Sequence, residues 1–299
     1  MSATITKTAN RTDVYTRVTD HIVAELERGV RPWFRPWGGG GPVSRPLRFN
    51  GQPYQGINVL MLWASAEMQG LSSPFWLTFN QARQLGGHVK KGEHGSPVVF
   101  ASSFKKKEAG DDGSEIEQEI HYLKQYLVFN SLQCDCLPQH FYPKPEPLPE
   151  PKQRIERAEL FFANTKAEIR SGGSRAYYSV AGDYIQMPPF EKFRDAESHV
   201  ATIGHESVHW SGASHRLNRA FGQERWGDAG YAMEELVAEL GSAFLCADLQ
   251  ITPEVREDHA SYIQSWIKLL SDKRAIFTAA SHASKAVDYL HSLQPQPIE

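Results

Sequence analysis

Between Pro138 and Pro151 the chain reads PQHFYPKPEPLPEP, with proline at nearly every second position towards its end. Proline has no backbone N–H to donate and holds φ near −65°, so neither a helix interior nor a central strand can run through such a tract. The tract predicts a stiff, extended connector. A chain of 299 residues is long enough for two domains of ordinary size. The expected division is residues 1–137, a proline-rich linker over 138–152, and residues 153–299.

The front part mixes periods. Val14, Val18, Ile22 and Leu26 lie four apart and lay one apolar stripe along a helix that Thr12 could cap and Gly29 would end. After it, RPWFRPWGGGGPVSRPLRFNGQPYQG is too rich in Pro and Gly for regular structure. A second helix is predicted from Asn58 through VLMLWASAEMQG, and a shorter one after Thr78 until Gly86 and Gly87. Two β-like runs, PVVFAS and YLKQYLVF, flank a polar, acidic loop expected from Lys105 to Glu119. Beyond the linker we expect a helix over about 153–169, a short hairpin through AYYSVAGDYIQM, and then helices over 195–210, 231–249 and one or two more. The fold class is therefore α+β: an α+β domain followed by a mainly helical one.

Residues 204–219 read GHESVHWSGASHRLNR. On a helix, His205 and His209 share one face, so both imidazoles can reach a single ion, with Glu206 placed to take a proton from a water there. This HExxH spacing is the arrangement of metallopeptidases, but a solvated helix can carry it by chance. A third ligand decides between the two. His215 completes HExxHxxGxxH. The competing candidate is Glu235, on YAMEELVAELGSAFLCADL, where Glu235 and Glu239 lie one turn apart among Leu236, Val237, Leu240 and Phe244. Carboxylates in such company need partners, since a buried unpaired charge is costly. Glu235 as ligand, with Glu239 accepting from the far nitrogen of a ligand imidazole, would satisfy both. Glu235 is preferred over His215, whose neighbours Arg216 and Arg219 would oppose a nearby cation. The run GDYIQMPPF could place a strand edge beside the cleft for an extended peptide.

Charge is unevenly divided. Residues 1–107 hold 14 Lys and Arg against 6 Asp and Glu, a net of +8, which leaves −11 for the rest of a chain of net charge −3. A basic front half suggests a polyanionic partner. Single-stranded nucleic acid is held by a positive groove and by aromatic faces on which bases stack. Arg31, Trp33, Arg35, Trp37, Arg45, Arg48, Lys90 and Lys91 are the candidate contacts, and no base-reading helix stands out, so little sequence preference is expected. Cys134, Cys136 and Cys246 are an odd set without a CxxC pair and read as reduced thiols. No run of eighteen apolar residues and no signal-like start occurs, so a cytoplasmic protein without membrane association is expected.

The segments PFWLTFNQARQLGGHVKKGEHGSPVVF, YLVFNSLQCD, HESVHWSGASHRLNR and YAMEELVAELGSAFL together resemble the ArdC antirestriction family. That resemblance covers nearly the whole chain. It implies an N-terminal single-stranded-DNA-binding domain joined to a zincin-like metallopeptidase domain, with His205, His209 and Glu235 as ligands and Glu206 as acid/base. It also implies protection of incoming conjugative plasmid DNA from restriction. The expected ion is Zn2+, with Mn2+ or another divalent ion as the alternative, and a host restriction enzyme or another protein as candidate substrate. The competing function is a single-stranded-DNA-binding protein whose metal site only stabilises the fold.

Overall fold

A computed structural model of the protein describes residues 14–33, 44–109, 115–143, 149–221, 228–251 and 260–295. Helix α1, Val14–Glu27, buries Ile22 and Leu26 as its stripe demands. Thr12 lies outside the described residues. Helix α2, Ile57–Gln69, is apolar along most of its length and stops at Gly70, whose φ of 65° is the left-handed cap that glycine adopts without strain. Helix α3, Phe79–Gln84, opens on a capping box in which Thr78 and Gln81 each satisfy the other's backbone N–H.

These helices accompany a four-stranded sheet built from β1 (Leu47–Arg48), β2 (Phe75–Thr78), β4 (Ser96–Ala109) and β5 (Glu115–Asn130), in the order β1-β2-β5-β4. Only the β1–β2 pairing is parallel. Strands β3 (His88–Val89) and β6 (Cys134–Asp135) form a separate small pair. The polar loop expected over 105–119 is instead mostly strand: the β4–β5 ladder pairs Lys105 with Glu119 and Lys107 with Glu117, leaving 110–114 outside the described residues. Polarity signals exposure, whereas an antiparallel pair needs only its backbone ladder.

The proline tract is not extended at its start. Residues Gln139–Phe141 form a 3-10 turn and bury Phe141 in a small cluster with Leu77, Ala82, Cys134 and Leu137. At the far end Pro151 opens helix α4, Pro151–Asn164, at the position where a missing N–H is harmless. The helix expected to continue to Ile169 ends at Asn164. Lys166 turns with φ 60°, and Glu168–Ser171 becomes strand β7. β7 lies parallel to β9 (Tyr184–Met187), which pairs antiparallel with β8 (Tyr177–Ser179), giving the order β7-β9-β8.

Four helices complete the back half: α5 (Ala196–Ser211), α6 (Ala229–Leu249), α7 (Ala260–Leu269) and α8 (Ala275–Ser292). Asp195 and Asp228 cap α5 and α6 by accepting from Ser198 N and Tyr231 N. Helix α6 is buried almost throughout and packs on α5, α7 and α8.

The large core is shared between the halves. One cluster contains Ile22, Trp63 and Val98 from the front together with Leu236, Phe244 and Leu290 from the back. Trp63 meets Phe244 edge-on at 5.7 Å, and the Gly56 N–H donates to Ser284 Oγ at 2.8 Å. Among the described residues no helix is long and apolar enough to cross a membrane.

Candidate metal centre

Helix α5 carries His205, Glu206 and His209, and α6 crosses it closely enough to bring carboxylates over both imidazoles. Gly241 permits that approach, since a Cβ there would stand 2.7 Å from Val208. Ser242 then ties the helices by donating to Ala201 O at 2.9 Å. The Nε2 atoms of His205 and His209 face each other at 3.2 Å, and they lie 3.6 Å from different oxygens of the Glu235 carboxylate, His205 from Oε2 and His209 from Oε1. A tetrahedral ion ~2.0–2.1 Å from each donor separates its ligands by about 3.3–3.4 Å, which is close to the spacing of the two imidazole nitrogens and of each from its nearer Glu235 oxygen. Two imidazoles and a carboxylate also suit a divalent cation chemically. His205, His209 and Glu235 are the group that can hold it.

The outer partners fix the rings. His209 turns its Nδ1 to Glu234 at 3.0 Å, and Glu234 is gripped by two bonds from Arg219, at 2.6 and 2.8 Å. Glu239 presents Oε2 to His205 Nδ1 at 3.7 Å, longer than a hydrogen bond, while Arg31 of the front half binds its other oxygen. Burial alone would lower the pKa of His205. The adjoining Glu235 and Glu239, with the charge of Glu206, reverse this and hold it near about 10. Burial likewise opposes ionisation of Glu235, but the facing imidazoles bring it down to about 2. Such a site draws in positive charge.

Glu206 is buried yet lines a cavity of about 1280 Å³ with both histidines and Glu235. Tyr231, one turn before Glu235, reaches into the same cavity, where burial, then Tyr262 and Glu235, push its phenol well above the usual range. The strand edge on the cavity is β8, through Tyr177 and Tyr178, whereas β9, in the run expected to supply it, is central in its sheet.

His215 stands apart from the imidazole pair. Its side chain is 60% exposed on the turn after α5, where it meets Asp183 at 3.3 Å and Arg216 at 2.7 Å. The two arginines expected to repel a cation are both neutralised: Arg216 by Asp183 and Arg219 by Glu234. The sequence did not single out Glu234, and Arg219, expected to oppose a cation, instead holds Glu234. The one available signal was the doubled acid Glu234-Glu235, in which only one carboxylate can point at the ion and its neighbour is left to the ring behind.

The expected DNA contacts divide. Arg31, Trp33 and Arg45 are buried at 4–5% exposure, so they are internal residues. Arg31 pairs with Glu239, Arg45 forks onto Asp248 with two 2.7 Å bonds, and Trp33 packs edge-on against Trp266. A guanidinium so enclosed has no face left for a phosphate. Arg48, Lys90 and Lys91 are exposed. Arg35 and Trp37 lie outside the described residues. Phe49, one of the aromatics of the Pro- and Gly-rich stretch, is exposed, as are the rings of Phe79, Phe100 and Tyr126, which nothing local in the sequence separates from the buried aromatics.

The helix pair and its small mixed sheet define a zincin-like metallopeptidase domain, and residues 156–282 match the family of that description. Residues 12–129 match the N-terminal domain of anti-restriction factor ArdC. The chain belongs to the ArdC antirestriction family. It is similar to the antirestriction ArdC protein of plasmid R388, with 42% identity and a TM-score of 0.78 to the metal-free crystal structure, covering 94% of this chain and 97% of that one. Against the Mn(II)-bound crystal structure of the same protein the values are 41% and 0.75, covering 94% and 98%. An uncharacterized protein of Sinorhizobium fredii, y4eC, is 43% identical over 291 residues, 95% of this chain and 93% of that protein. A DNA primase TraC of Escherichia coli is 33% identical over 304 residues, which are 95% of this chain but 27% of that longer protein.

Proposed function

We propose that this chain is a plasmid antirestriction protein that binds single-stranded DNA with little sequence preference and carries a metal-dependent peptide hydrolase, protecting incoming conjugative DNA. The observation that carries the hydrolase is the convergence of His205 Nε2 and His209 Nε2, 3.2 Å apart, on the Glu235 carboxylate, whose two oxygens each lie 3.6 Å from one of them, beside the cavity that also holds Glu206. Three donors leave one position free, whereas structural zinc sites use four protein ligands. We infer zinc as the resident ion. The Mn(II)-bound relative favours manganese as the alternative.

When bound, the cation supplies Lewis-acid activation of a water and of a carbonyl oxygen. The protein's own residues do the rest. With Glu234 and Glu239 at the Nδ1 sides of His209 and His205, the Nε2 atoms of both rings are the ones turned toward Glu235 and would hold the cation. Glu206 takes the proton of the attacking water and returns it to the leaving amine. The β8 edge at Tyr177 and Tyr178 can accept an extended peptide by backbone pairing. Replacing Glu206 by Gln tests the reading: metal binding should persist while peptide cleavage falls by about 10²–10⁴. Restriction protection is measured separately. Protection that survives the change would assign the phenotype to DNA binding alone.

For the front half, the support is its charge of +8 over residues 1–107, together with exposed Arg48, Lys90 and Lys91 and the exposed rings of Phe49, Phe100 and Tyr126. Binding to an oligothymidylate should weaken steeply with salt. A flat salt response or a preference for duplex would remove this assignment.

A further inference from the structure

The candidate metal centre contains a residue from the other half of the chain. Arg31 lies four residues after the end of α1, in the part matched to the ArdC N-terminal domain, yet its guanidinium is buried on Glu239 of α6. Glu239 is itself only 3% exposed, and its second oxygen is the carboxylate atom nearest His205 Nδ1, at 3.7 Å. Trp33, two residues on, packs on Trp266, which stacks on Tyr262, which in turn stacks on Tyr231 at the cavity wall. Two contact paths therefore run from residues 31–33 to the same site, one through Glu239 and one through Trp266, Tyr262 and Tyr231.

We propose that Arg31 is a positioning residue of the metal centre, holding the Glu239 carboxylate in the orientation that sets the His205 ring. The proposal rests on the metal-binding reading of His205, His209 and Glu235. A carboxylate enclosed in a core keeps one orientation only if a fixed donor holds it, and a forked guanidinium does so better than an ammonium. His209 offers the internal comparison, since its partner Glu234, at 3.0 Å, is also held by an arginine, there through two bonds from Arg219. Each imidazole thus has a carboxylate and an arginine behind it, tighter at His209 than at His205, and the arginine behind His205 comes from the front half. The metal site and the proposed DNA-binding half then form one unit.

A purely structural role is the rival, and the protein supplies its own control. Arg45 also crosses from the front half to α6, where it forks onto Asp248, and its side chain is 5% exposed against 3% for Arg31. The bonds of Asp248 among the described residues, however, go to Arg45 and His291 and not to the candidate site. Co(II) affinity and the Co(II) visible spectrum should be measured on full-length wild type, Arg31→Gln, Arg31→Lys and Arg45→Gln, with the melting temperature of each metal-free protein. Arg31→Gln is expected to weaken Co(II) binding by about 10- to 100-fold and to shift the ligand-field bands, as loss of an outer support does. Arg31→Lys should lie between it and wild type. Arg45→Gln should lower the melting temperature yet keep the Co(II) affinity.

Unchanged or tighter Co(II) binding in Arg31→Gln overturns the proposal, and so does an equal loss in Arg45→Gln. If Arg31→Gln does not fold, a wild-type affinity and spectrum in Arg31→Lys overturns it. Wild-type protein that takes up no Co(II) would instead remove the metal-binding reading itself.

Discussion

The Nε2 atoms of His205 and His209 stand 3.2 Å apart, a separation that two imidazoles on successive helical turns adopt when their rings are turned towards one point. Glu235 sits on the third corner and His215 does not. Substituting Ala for Glu235 should therefore abolish stoichiometric metal uptake, while Ala at His215 should leave it intact. Metal content after dialysis, read by mass spectrometry, distinguishes the two, and a metal-free His215→Ala protein would exchange their roles.

Glu234 is expected to matter almost as much as a ligand. It holds His209 Nδ1 at 3.0 Å and is itself locked by Arg219. Burial works against its charge, but Arg219 and then His209 keep it ionised below its ordinary pKa. Glu234→Ala should weaken metal binding by about 10- to 100-fold without changing the metal-to-protein ratio at saturation. A calorimetric titration that returns the wild-type affinity would reject this role.

Acid should loosen the contacts of Asp183 with Arg216 and with Tyr178, which lines the cavity. Hydrogen bonds from Arg216, outweighing burial, hold this carboxyl at about 2 against an ordinary 3.8, and Tyr178 adds a further bond. A lowered folded-state pKa gives stability that is present above the ordinary value and is lost as pH falls through the folded one. The melting-temperature gap between wild type and Asp183→Asn should thus be constant above about pH 5 and close towards pH 2. With 43% of the Asp183 side chain exposed, screening keeps the gap small. A gap that widens in acid would contradict the assignment.

Trp33 and Tyr126 should behave oppositely. Trp33 is 4% exposed and Tyr126 44%. Trp33→Ala should cost about 3–5 kcal/mol of stability, as large core truncations do. Tyr126→Ala should leave the melting temperature nearly unchanged and weaken oligothymidylate binding by about 1–3 kcal/mol if a base stacks there. Denaturation curves and fluorescence anisotropy on both variants check this. Unaltered DNA affinity in Tyr126→Ala would exclude that ring from the DNA surface.

The amino-acid sequence by itself determined what depends on neighbours along the chain. The four-residue step from His205 to His209 is a property of one helix, as are the caps at Thr78 and Asp195 and the stop at Gly70. Burial logic, too, drew attention to Glu235 and Glu239, because two acids among leucines and a phenylalanine need partners wherever the helix lies. Tertiary structure decided the rest: that Gly241 lets α6 reach α5, that Glu234 backs His209, and that Arg31, Arg45 and Trp33 point inward. An arginine written beside a tryptophan looks the same in a DNA groove and in a buried ion pair. Only the long-range docking of one half on the other chooses between them, by removing water from one set of side chains and leaving it on another.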